Sequence, residues 1–164
     1  MTGGGTAVVT VELRPVEDVD LDALFDLMRD PESVRMAAFT AQDPNDREVF
    51  DARMARLRAA PDVTIRAIIR DGRLVGSIAS FVIDGDTEVT YWVDRSVWGQ
   101  GVATQALTRF LEILDTRPVY ARAASDNAAS LKVLRKAGFQ AIGTEVAYAP
   151  GRNTELEETI LRLY

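Results

Sequence analysis

The sequence predicts a mixed α/β fold, a sheet with helices on its faces, and three observations carry that reading. Leu21, Leu24, Phe25 and Met28 fall at the i, i+3, i+4, i+7 spacing of an amphipathic helix. Val63, Ile65, Ala67 and Ile69 alternate with period two, and the Asp71-Gly72 that follows is a strong hairpin signal. The two patterns interleave along the chain in the order β-α-α-β-β-β-α-β-α-β-β, as a mixed sheet requires. The 164 residues suit one domain with a single core. A flexible tail is expected at residues 1–7 and one domain at 8–164.

Residues 8–14 read as the first strand, stopped by Pro15. Asp20 stands where a cap would begin the first helix, and Asp30-Pro31 breaks it. Residues 32–38 leave room for a short second helix. Asp46 opens a helix with Phe50, Met54 and Leu57 on one face, and Pro61 closes it. The return strand of the hairpin runs over 74–83, and Asp84-Gly85-Asp86 turns it into a third strand, 88–93. Ala103, Leu107, Phe110, Leu111 and Leu114 mark another amphipathic helix. A short strand at 119–123 precedes a helix at 127–137, with Leu131 and Leu134 inward and Gly138 as its C′ residue. Final strands are expected near 140–149 and 157–163.

Composition narrows the chemistry. Apolar residues make up 47% and charged residues 27%, as in a soluble globular protein. The chain has neither cysteine nor histidine, which excludes disulfides, cysteine nucleophiles, histidine bases and the usual zinc sites. Catalysis would rest on carboxylates, hydroxyls, lysine, tyrosine, backbone amides or a cofactor, and no metal is expected. The net charge of −6 and the lack of a dense Lys/Arg run argue against a nucleic-acid partner. No apolar run approaches a membrane span, and MTGGGTAVV lacks the basic flank and long apolar core of a signal peptide. The expected address is cytoplasmic, and the expected state a monomer or homodimer.

The stretch DRSVWGQGVATQAL, residues 94–107, puts Gly99 and Gly101 where a strand hands over to a helix. Ser, Thr, Asp or Asn would cap that helix better, so the glycines suggest that something approaches the backbone. A Walker loop needs a lysine that is missing here. A dinucleotide fingerprint needs a third glycine where Thr104 stands. Two readings stay open. One is an anion seat of successive N–H groups, with Gly101 and Ala103 keeping side chains away. The other is a tight strand-to-helix turn with no ligand.

Trp98-Gly99-Gln100-Gly101-Val102-Ala103 resembles the acyl-CoA signature of the GNAT N-acetyltransferases, [QR]-x-x-G-x-[GA], with Trp98 in place of the first Gln or Arg. An aromatic residue there, Tyr91-Trp92 before it and Thr104-Gln105-Ala106-Leu107 after it are similar to the RimJ/RimL-type branch. A second block, SDNAASLKVLRKAGFQAIGTE, resembles that branch through Asn127, Ser130, Val133, Lys136, Gly138 and Phe139. The resemblance implies a central mixed, mostly antiparallel sheet of about seven strands with helices on both faces. It also implies acetyl-CoA as cosubstrate and an amine-bearing acceptor, a protein N-terminus or a small molecule.

Roles then follow from the resemblance. The pantetheine amides would pair with the backbones of Trp92, Val93 and Asp94, in a strand that splays from its neighbour. The pyrophosphate would sit on the amides of Gly99, Gln100, Gly101, Val102, Ala103 and Thr104, and Asn127 would contact the cofactor. Direct attack of an amine on a thioester needs no cysteine, but the ammonium must lose a proton. Glu88, on a face with Thr90 and Trp92, is the candidate base. The oxyanion would take an N–H near Trp92 and Val93, and Ser130 would donate to the departing thiolate. Leu134 stands where some members carry a tyrosine acid. The plainer readings are a solvated Glu88 at a strand start, capping by Asn127 and Ser130, packing by Tyr91 and a solvated face at Glu155, Glu157 and Glu158. The alternative function is a catalytically silent acyl-CoA-binding or sensor module.

Overall fold

A computed structural model describes residues 10–164. The tail expected at 1–7 and the first two residues of the first expected strand, Val8 and Val9, lie outside the described residues. Seven strands form one sheet: β1 (Val11–Pro15), β2 (Thr64–Arg70), β3 (Arg73–Ile83), β4 (Asp86–Val93), β5 (Val119–Ala124), β6 (Gln140–Ala149) and β7 (Thr154–Leu163). Their spatial order is β1-β2-β3-β4-β5-β7-β6, and only β4 and β5 pair in parallel. The helices are α1 (Leu21–Met28), α2 (Pro31–Ala37), α3 (Arg47–Ala59), α4 (Val102–Ile113) and α5 (Ala128–Lys136). The expected mixed, mostly antiparallel sheet with helices on both faces is borne out.

Alternation divides the core in two. Ala67 and Ile69 of β2 pack with Leu24, Leu27 and Met54 of α1 and α3. Ile68, between them, faces the other way with Val75, Ile78 and Val89, under Phe110 and Leu107 of α4 and Leu134 of α5. Asp71 and Gly72 both have positive φ, as the two-residue hairpin turn requires. Asp46 caps α3 by accepting from Val49 N at 3.2 Å. Asp20 precedes α1 as expected but does not cap it. Its carboxylate takes two bonds from Arg14, at 2.7 and 2.8 Å, and one from Glu17 N at 2.8 Å, so it ties β1 to the helix entry.

Two irregularities shape the middle of the sheet. Opposite β2, the register steps from Gly76↔Ile68 to Leu74↔Ile69 and leaves Val75 as a bulge. The β4–β5 ladder ends at Val89↔Ala121, while β5 continues along β7 to Ala124↔Glu158. Residues 90–93 of β4 therefore have no partner on the β5 side, and the sheet opens there into a gap. At the far end, the β6–β7 turn is tied to α2. Gly151 N donates to Ala38 O at 2.7 Å, and Arg152 grips Asp126 at 2.8 and 3.0 Å while also bonding Arg35 O.

Candidate active site

The gap presents main-chain groups chosen by the strand's alternation. Asp94 N donates to Val75 O at 2.7 Å, and the Trp92 carbonyl lies against Gly76, so both residues turn their peptide groups toward β3. Period two then directs those of Tyr91 and Val93 into the gap. Of the three backbones expected there, Val93 alone faces it, and Tyr91 is the addition that strict alternation would have found. The Trp98 indole donates to Val93 O at 2.9 Å and walls the end of the gap.

Beyond the gap, Asp94 bonds Ser96 N at 2.9 Å and starts a 3-10 turn over Arg95–Val97. Gly99 and Gly101 follow with φ of 76° and 81°. Both sit in the left-handed region that other residues enter at a cost of about 1–2 kcal/mol. A Cβ at either would meet nothing within 4 Å. The turn thus needs glycine for its backbone conformation and leaves open space above it. Gly101 occupies the N-cap of α4 with no side-chain cap. The first intrahelical bond is Gln105 N to Gly101 O, so the N–H groups of Val102, Ala103 and Thr104 precede the helical ladder. Two arginines from the β2–β3 hairpin attend this turn: Arg70 bonds the Gln100 side chain, and Arg73 reaches Ser96 Oγ at 3.1 Å. They are far away in sequence, and the motif gives no hint of them.

On the α4–α5 face, Asn127 Oδ1 accepts from Ser130 N at 3.2 Å and its Nδ2 donates to Met36 O at 3.4 Å. The capping reading of Asn127 is therefore correct for its oxygen. Ser130 Oγ lies 2.8 Å from the Tyr91 hydroxyl. Burial raises the Tyr91 pKa above its ordinary value, and the bond to Ser130 opposes the shift. Tyr91 thus does more than pack. Leu134 is fully buried in the core.

On the opposite face, Glu88 is the third residue of β4, across from Tyr120 of β5. Its side chain is 15% exposed and meets Arg122 Nε at 3.0 Å. Arg122 also bonds Glu145 at 2.8 Å and Glu158 at 3.4 Å. Burial pushes the Glu88 and Glu158 carboxyls above their ordinary range, against the pull of the shared guanidinium. Glu88 is thus neither at a strand start nor fully solvated. Glu158 leaves the solvated face expected of Glu155, Glu157 and Glu158, because the β7 register places it diagonally opposite Arg122.

The same face holds a cavity of about 150 Å³, enclosed by α3, the loop at 39–46 and strands β2–β4. Phe50, Met54, Ile65 and Trp92 supply apolar wall, and Thr90 lies on the β4 side. Trp92 is pinned by its indole N–H, which donates to Leu27 O at 3.1 Å.

Compared with known families, residues 10–140 match the acetyltransferase (GNAT) domain. The chain belongs to the GNAT acetyltransferase family. The resemblance read from its two motifs is borne out, and RimJ- and RimL-type enzymes are among the solved structures that share the GNAT fold of this chain. Ribosomal-protein-alanine N-acetyltransferase from Brucella melitensis is 20% identical with a TM-score of 0.78, over 93% of this chain and 98% of its own. Mycobacterium smegmatis RimJ in complex with CoA-disulfide is 22% identical with a TM-score of 0.78, over 93% and 81%. Spermidine N-acetyltransferase from Vibrio cholerae, in complex with CoA and spermine, is 17% identical with a TM-score of 0.77, over 93% and 95%. No curated protein sequence matches this GNAT chain significantly. Among the described residues, no helix is long and apolar enough to cross a membrane.

Proposed function

We propose that this GNAT chain transfers an acetyl group directly from acetyl-CoA to a primary amine, on a protein N-terminus or a small molecule. The observation that carries this reading is the gap beyond Val89 leading to the glycine turn at the start of α4. The gap offers two peptide units to an amide-bearing arm, and the turn offers open space over a run of N–H groups, so the residues fit coenzyme A. When bound, acetyl-CoA supplies the thioester that the amine attacks. The amides of Gly99 to Thr104 would hold the pyrophosphate, with Arg70 and Arg73 beside them. Asn127 shapes the start of α5 next to the cofactor through its cap.

The chain's own groups then divide the proton work. Glu88, its carboxyl raised by burial, takes the proton that the ammonium must lose, directly or through water. An N–H of the open β4 segment, Val93 by its direction, faces the carbonyl oxygen as negative charge grows there. The Ser130 hydroxyl donates a hydrogen bond to the sulfur, which leaves as the thiolate. The Tyr91 hydroxyl, 2.8 Å from Ser130 Oγ, positions that serine.

Binding and turnover test the proposal in sequence. Acetyl-CoA should raise the melting temperature while ATP and NAD do not, and a panel of amines should then release free thiol. Binding without release by any amine defeats transfer and leaves the silent module. Gly101→Asp should weaken acetyl-CoA by at least about tenfold, since it places like charge over the diphosphate seat and strains a left-handed position. Unchanged affinity removes the seat from the site. Tyr91→Phe should lower kcat about three- to tenfold with KM for acetyl-CoA unchanged, the worth of one hydrogen bond. It should add little to Ser130→Ala, and additive losses would separate the two residues.

A further inference from the structure

The cavity beside Thr90 and Trp92 contains a cation out of keeping with its walls. Phe50, Arg53, Met54 and Leu57 form the stripe of α3 that lines the cavity, with Met54 buried and Arg53 exposed. At Arg53 the helical spacing that puts apolar groups on this stripe carries a guanidinium. Arg47 and Arg58 on the same helix are ion-paired, with Asp22, Asp51 and Asp18. Among the described residues Arg53 forms no ion pair or side-chain hydrogen bond. Asp43 and Asp46 share the cavity, but each spends a carboxylate oxygen on a backbone N–H of its own loop, Asn45 and Val49 respectively. Desolvation by the surrounding protein, and secondarily Arg56, lower the Arg53 pKa from its ordinary value. A cation without a partner, in a chain of net charge −6, leaves a fork of donors for a ligand anion.

We infer that the acceptor is a small aminocarboxylate with an apolar side chain, its carboxylate held by Arg53 and its amine directed toward β4. This rests on the transfer reading above for the direction of the amine. The volume suits one apolar side chain, since a cavity of this size admits a molecule as small as benzene. A peptide N-terminus has no carboxylate next to its amine and would leave Arg53 unpaired.

The test uses the full chain saturated with coenzyme A and titrated calorimetrically with leucine, methionine and phenylalanine, each beside its amide. At least one acid should bind about tenfold or more tightly than its amide, the scale of a charged hydrogen-bonded pair. Arg53→Gln should erase that preference and Arg53→Lys retain part of it. The inference is overturned by equal binding of acid and amide, by no binding, by a preference unchanged in Arg53→Gln, or by tighter binding of short peptides with free N-termini. Thiol release from acetyl-CoA is measured with the same ligands. An Arg53-dependent preference without release upholds the pocket's specificity and defeats transfer, so the two failures are distinct.

Discussion

Glu88→Gln is expected to lower the amine-dependent rate by about 10²- to 10⁴-fold, the usual worth of a general base, while acetyl-CoA binds as before. The amide keeps the shape of the carboxylate and can still accept from Arg122, so the change removes a proton acceptor and little else. If Glu88 serves only as a partner for Arg122, the rate will stay within a few fold of wild type. The pH profile separates the cases further. Burial raises the Glu88 pKa above its ordinary 4.5, so kcat/KM should fall as pH drops through that raised value, and this limb should vanish in Glu88→Gln. Stability should move in the opposite direction. A carboxyl whose folded pKa lies above its unfolded value contributes stability that is complete below the unfolded pKa and lost as pH rises through the folded one. Above its raised pKa the ionised Glu88 is therefore a cost to the fold, and there Glu88→Gln should melt no lower than wild type. A less active protein that melts as high or higher is the pattern of a site that trades stability for function.

Gly76→Ala should be the most damaging small substitution in the sheet. An added Cβ would drive into the Trp92 carbonyl and lie 3.1 and 3.2 Å from Trp92 C and Val93 Cα, all of them backbone atoms that cannot rotate away. Gly76 follows the bulge at Val75 and stands opposite Val93, the last residue of β4's unpaired run. Overpacking of this kind costs about 3 kcal/mol, which lowers Tm by roughly 6–12 °C for a chain of this size. The strained segment contains Val93, so acetyl-CoA affinity should fall with it. A melting temperature within about 2 °C of wild type would mean that β3 and β4 can separate at no cost, and would contradict the packing.

Local rules made most of the fold legible. The turns at Asp71-Gly72 and Asp84-Gly85, the cap at Asp46 and the stripe of α4 depend on a few neighbouring residues, and each falls where the sequence places it. The glycine turn was visible too, although its positive φ angles, more than any crowding, explain the two glycines. What stayed hidden is long-range pairing. Nothing local tells that β7 lies between β5 and β6, and that register alone brings Glu145 and Glu158 to Arg122. The Tyr91–Ser130 bond links residues on different elements. The apolar pattern of Phe50, Met54 and Leu57 is complete without Arg53, and at Asp20 a nearby helix start is a stronger local signal than an arginine on another strand.

The strand order has a further consequence for a chain leaving the ribosome. Of the seven strands, β7 is made last, yet it is an interior strand of the sheet, flanked on both sides by older ones. Until it inserts, β6 has no neighbour to hold it, and the carboxylates around Arg122 are not yet assembled. A nascent or proteolysed chain without β7 would keep the glycine turn but lack Glu158 beside the Arg122 that Glu88 meets. If Glu88 is the base, such a fragment would still bind acetyl-CoA and turn over no amine.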